Sequence, residues 1–303
     1  MLVIDEASGL DIEDIKELSA TRSSGAVTIN KIAKGEARAR TRLLWLSNPR
    51  SGRNLDEFYW KGFGAFQEFI PVAEDQARYD VVISAARDDV DVRTFDDVER
   101  TSKLNVIPYQ EAAAFAWSVS HENVIISHAA AKAVKAAAIQ LDQDYGGGPL
   151  VVGVAVHEKI LRLGAACAIL CGSIEGDRRQ VMVTSDHIKM GVDFLIQSFD
   201  KPTFDYRTFS REQNRAAMQR KENIEFIKGH LALHPALTVL LSANIFRGNQ
   251  LKEILGLGTD EASKLLSEFL QRGLVKMTNQ GAYTPDKMMI DIVKQIGGGS
   301  SEV

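Results

Sequence analysis

The sequence predicts an α/β fold with a helical region and a separate C-terminal module, on three observations. Short apolar runs near the start end in polar residues and are separated by connections long enough for helices. Alanine-rich stretches in the middle space their apolar residues at helical intervals. Residues 225–296 carry amphipathic stripes and then alternate as a hairpin does.

The first run, residues 1–4, reads as a buried strand and ends directly in Asp5 and Glu6. Adjacent acids at a strand end point differently, so one can hold a metal–water shell while the other orients an attacking water. A second run, residues 43–46, ends at Asn48, which Pro49 fixes in place. Arg78 stands just before a third β-rich run, residues 81–83. Strands that end in acids, in an amide and beside an arginine describe a sheet whose strand ends line a phosphate site.

Between the first two runs, Lys31, Lys34, Arg38, Arg40 and Arg42 cluster with only Glu36 against them. Arg38, Arg40 and Arg42 alternate, so on a strand they share one face. The cluster reads either as a hairpin tracking nucleic-acid phosphates, with Lys31 and Lys34 at its tip, or as an edge strand blunted by charge.

Residues 86–100 are acid-rich and read as a surface connection. Helices are expected over 109–117, over 127–145 with Ser127 as N-cap, and over 154–170. A fourth, capped by Thr184 or Ser185, runs to Phe199. Residues 201–224 turn polar around Pro202, which marks a linker. Beyond it, residues 237–245 are apolar and 249–255 amphipathic, and Thr259 opens a helix. Its stripe of Ala262, Leu265, Leu266, Phe269 and Leu270 ends at Gly273. Residues 274–283 then read as a hairpin around Asn279-Gln280-Gly281. Three helices and a hairpin over 225–296 make a winged-helix arrangement, followed by a disordered tail at 297–303. Its third helix sets Asp260, Glu261 and Glu268 against Lys264 and Arg272, a balance that suits protein contact better than sequence-specific DNA reading.

With 303 residues, 45% of them hydrophobic and 25% charged, the chain can bury substantial cores. A net charge of −4 argues against a wholesale nucleic-acid coat but permits a local basic surface. Cys167 and Cys171, one helical turn apart, read as buried thiols in a reducing compartment. His230 and His234 sit four apart without a third ligand, which suits a surface or capping role. The start lacks a basic leader region, and no apolar run reaches the ~18 residues that span a bilayer, so a cytoplasmic protein without membrane contact is expected.

Several of these segments resemble a known family. LVIDEASGL resembles a Walker B motif, and LLWLSNPR resembles the sensor 1 strand of AAA+ ATPases, with its Asn-Pro as in minichromosome maintenance (MCM) helicases. ARYD resembles the MCM arginine-finger motif, Ser-Arg-Phe-Asp. DIKELSATRSSGAVTINKIAKG lies where that family carries its helix-2 insert and presensor-1 hairpin, and VHEKILRLGAACAIL with MVTSDHIKMGVDFLI resembles its helical lid. The resemblance covers roughly residues 1–200 and is most like the divergent mobile-element or phage type. It implies a partial AAA+ P-loop NTPase core over 1–100, from Walker B onward, and a lid over 101–200.

The resemblance also implies ATP, Mg2+ and DNA, single-stranded or forked, bound without sequence specificity by a homo-oligomeric ring, expected to be a hexamer. Asp5 would coordinate Mg2+ through water, Glu6 would polarise the attacking water, and Asn48 would contact the γ-phosphate. Arg78 would reach a neighbouring subunit's site; the alternative is a surface salt bridge with Asp75 or Asp80. Lys31, Lys34, Arg38 and Arg40 would contact DNA. The family's sensor 2 position falls near Ala155, with Arg162 a couple of turns on as the candidate replacement.

One departure stands out. No Gly-x-x-x-x-Gly-Lys-Ser/Thr occurs, and Gly146-Gly147-Gly148-Pro149 lacks a following Lys-Ser. The chain is therefore expected to be a C-terminal portion that needs an upstream Walker A-bearing segment and is inactive alone. The alternative is a catalytically inactive AAA+ remnant plus a winged helix, acting as a DNA- or partner-binding protein.

Overall fold

The computed structural model describes residues 2–15, 26–30, 34–38, 43–89, 107–176, 180–243 and 245–297, the side chains of 26–38, 107, 242 and 295–297 excepted. The chain divides into two units, Met1–Asn214 and Arg215–Val303.

In the first unit, β1 (Leu2–Ile4) pairs in parallel with β4 (Leu43–Trp45), from Leu2↔Leu43 to Ile4↔Trp45. The ladder runs on past both strands: Leu46 N–H donates to Ile4 O and Ala7 N–H to Leu46 O, each at 2.9 Å. Between them in sequence, β2 (Ala26–Asn30) and β3 (Lys34–Arg38) form an antiparallel hairpin from Ala26↔Arg38 to Asn30↔Lys34.

Two expectations for this sheet need correction. The run expected as a buried strand at 1–4 forms a strand over Leu2–Ile4 that is not buried: Leu2 and Val3 are 44% and 46% exposed, and Leu44 and Leu46 45% and 46%. Of the described residues of these two strands, Ile4 and Trp45 pack against the core. Residues 81–83 form no strand. A β-rich run needs a neighbour to accept its backbone bonds, and this segment is held instead by side chains. Lys201 Nζ donates to Ser84 O (2.6 Å) and pairs with Asp89 (2.8 Å), to which Thr203 Oγ1 also donates (2.7 Å).

Helices α1 (Lys61–Phe69) and α2 (Ala73–Ala77) follow, then α3 (Ile107–Ser118), α4 (His128–Tyr145), α5 (Gly153–Leu170) and α6 (Ser185–Phe199). Ser127 Oγ caps α4 by accepting from Ala130 N–H (3.1 Å). At the start of α6, His187 Nδ1 accepts from Thr184 N–H (3.1 Å). Helices α5 and α6 cross closely at Gly164, where an added Cβ would lie 2.4 Å from Ile188 Cδ1. The region is not purely helical, as had been expected. Val124–Ile126 (β5) pairs in parallel with Gln180–Val183 (β7), and Ile174–Glu175 (β6) antiparallel with it. Runs of two to four residues are too short to announce a strand by periodicity. One core runs from Ala7 to Phe209, through both of the regions expected to be separate domains.

The polar stretch 201–224, read as a linker, is helical over most of its length, and the division between the two units falls within it. Tyr206–Leu233 forms α7, 28 residues long, and residues 213–222 are exposed on every side of it. Its Arg, Glu, Gln, Ala, Met and Lys are good helix formers, and no Gly or Pro interrupts the run before Gly229.

The second unit continues with α8 (Leu237–Ser242), α9 (Gly248–Leu255) and α10 (Thr259–Gln271). An antiparallel hairpin, β8 (Val275–Met277) and β9 (Tyr283–Pro285), follows, and Phe246 bridges to Tyr283 beside it. The last helix, α11 (Lys287–Gly297), was not anticipated, although Met289, Ile292 and Val293 bury a helical stripe. His230 packs edge-on against Phe226 (4.5 Å), and burial holds its pKa below the ordinary value. No described helix is long and apolar enough to cross a membrane. Cys167 is half-buried and Cys171 exposed, since α5 ends at Leu170 and leaves Cys171 outside the helix.

Candidate functional site

The parallel register of β1 and β4 brings Asp5, Glu6 and Asn48 off the same end of one small sheet, all three exposed. Glu6 N–H donates to Asp5 Oδ1 (2.9 Å), leaving Oδ2 with no hydrogen bond among the described residues. Glu6 itself is left-handed (φ 49°, ψ 40°), an uncommon conformation for a non-glycine residue and one that concentrates at functional sites. Ala7 directly after it is fully buried and tied to Leu46 O, so the turn that presents the two acids is anchored from behind. Across from them, Arg50 Nη2 donates to Leu10 O (2.6 Å) and its guanidinium lies 5.5 Å from the Phe69 ring centre. The segment after β4 is thereby fastened to the turn after β1.

Two carboxylates and an amide at one edge are hard oxygen and nitrogen groups suited to a hydrated Mg2+ and a water, since Mg2+ keeps several waters and takes only one or two carboxylates. Asp5 with its open Oδ2 fits an outer-shell role. The Gly-x-x-x-x-Gly-Lys-Ser/Thr motif that cradles β- and γ-phosphates does not occur in the sequence.

Arg78, at the end of α2, is ion-paired to Asp75 (2.5 Å) and Glu74 (3.2 Å). Tyr79 next to it packs on Phe66 (5.3 Å) and on Trp45 of β4 (6.4 Å), so the segment carrying Arg78 is locked to the same sheet. Arg162 does not join the acids. Its Nε and Nη2 donate to Asp80 Oδ1 (2.9 and 2.7 Å) and its Nη1 to Glu158 (3.3 Å), which sets it beside the Arg78 segment. Lys34 and Arg38 are the first and last residues of β3. Lys31, Arg40 and Arg42 lie outside the described residues, as do the side chains of Lys34 and Arg38.

Two buried polar groups escaped the sequence reading. Lys159 of α5 is buried and donates to Leu150 O (2.8 Å); burial pushes its pKa down to about 8, and nearby Asp80 opposes the shift. Its place on the buried stripe between Val156 and Ile160 was the available signal. Tyr145 donates to Asp200 Oδ1 (2.6 Å) and accepts from Arg207 Nη2 (2.8 Å), with Arg207 paired to Asp200 (2.7 Å). That clasp joins α4 and α7 across distant positions, and nothing in local sequence announces it. No protein-family model matches the chain, and no curated protein matches it.

Proposed function

We propose that the β1/β4 edge is the hydrolytic edge of an MCM-like AAA+ ATPase, which couples ATP hydrolysis to DNA translocation and unwinding in replication. The observation that carries this reading is the parallel pairing of β1 with β4. It sets an acid pair, one member in a strained left-handed turn, beside Asn48, with a β-hairpin inserted between the two strands in sequence.

In this reading Asp5 holds a water of the Mg2+ shell, Glu6 orients the attacking water and takes its proton, and Asn48 donates its amide to the γ-phosphate. Bound Mg2+ supplies charge neutralisation on the phosphate oxygens. Arg78 acts across the interface of a homo-oligomeric ring, a hexamer, exchanging Glu74 and Asp75 for the neighbour's phosphate. Lys31, Lys34, Arg38 and Arg40 contact DNA from the hairpin, and the second unit is a winged-helix module. The β- and γ-phosphates are cradled by a Walker A-bearing segment outside these 303 residues. The cis ion pairs of Arg78 favour a second reading, an inactive AAA+ remnant that binds DNA or a partner.

Nucleotide binding separates the two readings. The chain alone is expected to lack micromolar ATP affinity and turnover, and joining it to the Walker A-bearing segment restores both. Glu6→Gln in the completed protein retains nucleotide and loses turnover. Turnover that survives Glu6→Gln removes the role assigned to Glu6, whereas a completed protein that neither binds nor hydrolyses ATP leaves the remnant reading.

A further inference from the structure

The end of α5 and the middle of α6 bring sulfur atoms together at the surface. Cys171 Sγ–H donates to Met190 Sδ at 3.9 Å, although 19 positions separate the two residues. Cys167 stands one helical turn before Cys171, and its carbonyl accepts from Cys171 N–H (2.9 Å), so the two cysteines share a helix face. Burial, and after it the nearby Cys171, push the Cys167 thiol pKa up. A raised pKa keeps that sulfur a neutral thiol, unlike the thiolate of a nucleophilic or redox cysteine. The backbone around the cluster is fixed from both sides. Gly172 turns the chain in the left-handed region (φ 68°), Ser173 N–H donates to Ala168 O (2.9 Å), and Ser173 Oγ–H donates to Met182 O (2.8 Å). Helix α6 is pressed onto α5 at Gly191, where an added Cβ would lie 3.0 Å from Leu163 Cβ.

Two thiols and a thioether form a soft donor set. Sulfurs around a three-coordinate ion with bonds of about 2.3 Å stand about 4 Å apart, and the Cys171–Met190 spacing of 3.9 Å matches that separation. Among the described residues no three His, Cys, Asp or Glu groups come together to hold a metal, so the thioether is what completes a set of three here. Zn2+ takes four nitrogen, oxygen or thiolate ligands, and iron–sulfur clusters take four thiolates, whereas thiolates joined by a thioether select Cu(I). The surroundings suit a cation. Asp186 and Asp193 lie one turn to either side of Met190 on α6, both exposed, and the negative end of the α5 dipole falls beside Cys171. Cys171 is exposed and Met190 is 48% exposed, which leaves an ion a way in.

We propose that Cys167, Cys171 and Met190 bind one Cu(I) ion, at a site separate from the β1/β4 edge and independent of the function proposed for it. On binding, the two thiols release their protons to solvent and the ion takes both thiolates and the thioether. The reduced full chain, titrated anaerobically with Cu(I) in competition with the chelator bicinchoninate, tests this. One ion per chain should be drawn from the chelator, and X-ray absorption should show three sulfur neighbours at about 2.3 Å. Cys167→Ser and Cys171→Ser should each abolish that competition. Met190→Leu keeps the side-chain volume at a half-exposed position and leaves both thiols in place. It should weaken affinity by at least about tenfold, since even groups behind the ligands are worth that much, and lower the sulfur count from three to two. Because the ion clamps α5 to α6, saturation should also raise the unfolding midpoint of the wild type more than that of Met190→Leu. A wild type that takes no copper from the chelator overturns the proposal. Affinity unchanged in Met190→Leu overturns it too, leaving a two-thiolate site, and binding that survives both serine variants places the copper elsewhere and overturns it as well.

Discussion

Phe63 of α1 and Leu44 of β4 are both apolar residues of the first unit, and they meet opposite environments. Phe63 is fully buried, with the rings of Phe66, Phe204, Tyr206 and Phe209 all within 6.1 Å. Leu44 lies nearly half exposed on a sheet two strands wide. The residues with recognisable chemistry, Asp5, Glu6 and Asn48, sit on the thin sheet, while stability resides in the helices and the aromatic core beside it. Chemistry and cohesion are thus separated, and each can be perturbed without the other.

The largest effect expected is on the cohesive side. Phe63→Ala should lower unfolding free energy by about 3–5 kcal/mol, since it empties the centre of the aromatic cluster. Leu44→Ala should cost under about 1 kcal/mol. Urea unfolding checks both, and equal costs would dissolve the contrast.

Lys159 sharpens it through pH. Its folded-state pKa of about 8 lies below the ordinary 10.5. Below pH 8 the ammonium is charged in both states and the burial penalty acts in full. From about pH 8 to 10 the unfolded chain binds more protons than the folded one, so stability rises with pH. The rise should reach about 2–3 kcal/mol and vanish in Lys159→Met. Above pH 10 Tyr145, whose pKa burial and Asp200 raise to about 12, works the other way, because its unfolded form loses the proton first. A urea midpoint that is flat from pH 8 to 10 in the wild type would contradict the burial of a charged lysine.

Tyr145→Phe removes the hydroxyl between Asp200 and Arg207 but leaves those two paired, so a loss of about 1–2 kcal/mol is expected. Ser127→Ala removes one cap and should cost about 1 kcal/mol. Both are read by thermal unfolding at fixed pH, and a neutral Ser127→Ala would show that packing alone positions α4.

Helix positions were legible where local rules decide them. Ser127 and Thr184 stand at the starts of α4 and α6, and β1 and β4 fall on the apolar runs that end in Asp5 and Asn48. What stayed hidden depends on partners far along the chain. Whether residues 81–83 pair, or Val124 finds Val181, is settled by what lies alongside and not by the run itself. The same holds for the site. The acids were visible as a pair, but the Arg162–Asp80 bond spans 82 positions, and no periodicity encodes it. The α7 stretch shows the complementary failure, since its polarity was legible and its helicity was overlooked.

The central claim is that Glu6 of one copy and Arg78 of the next serve one hydrolytic site. The direct measurement is ATP turnover in mixed assemblies reconstituted with the Walker A-bearing segment, combining Glu6→Gln subunits with Arg78→Ala subunits. Each variant alone should be inactive. Mixed in equal amounts, they should recover roughly a quarter of wild-type turnover, because one interface in four joins an intact Glu6 to an intact Arg78 in a head-to-tail ring. No recovery, with mixed assembly verified by pull-down, would contradict the account and leave Arg78 bound to Glu74 and Asp75 as a surface arginine.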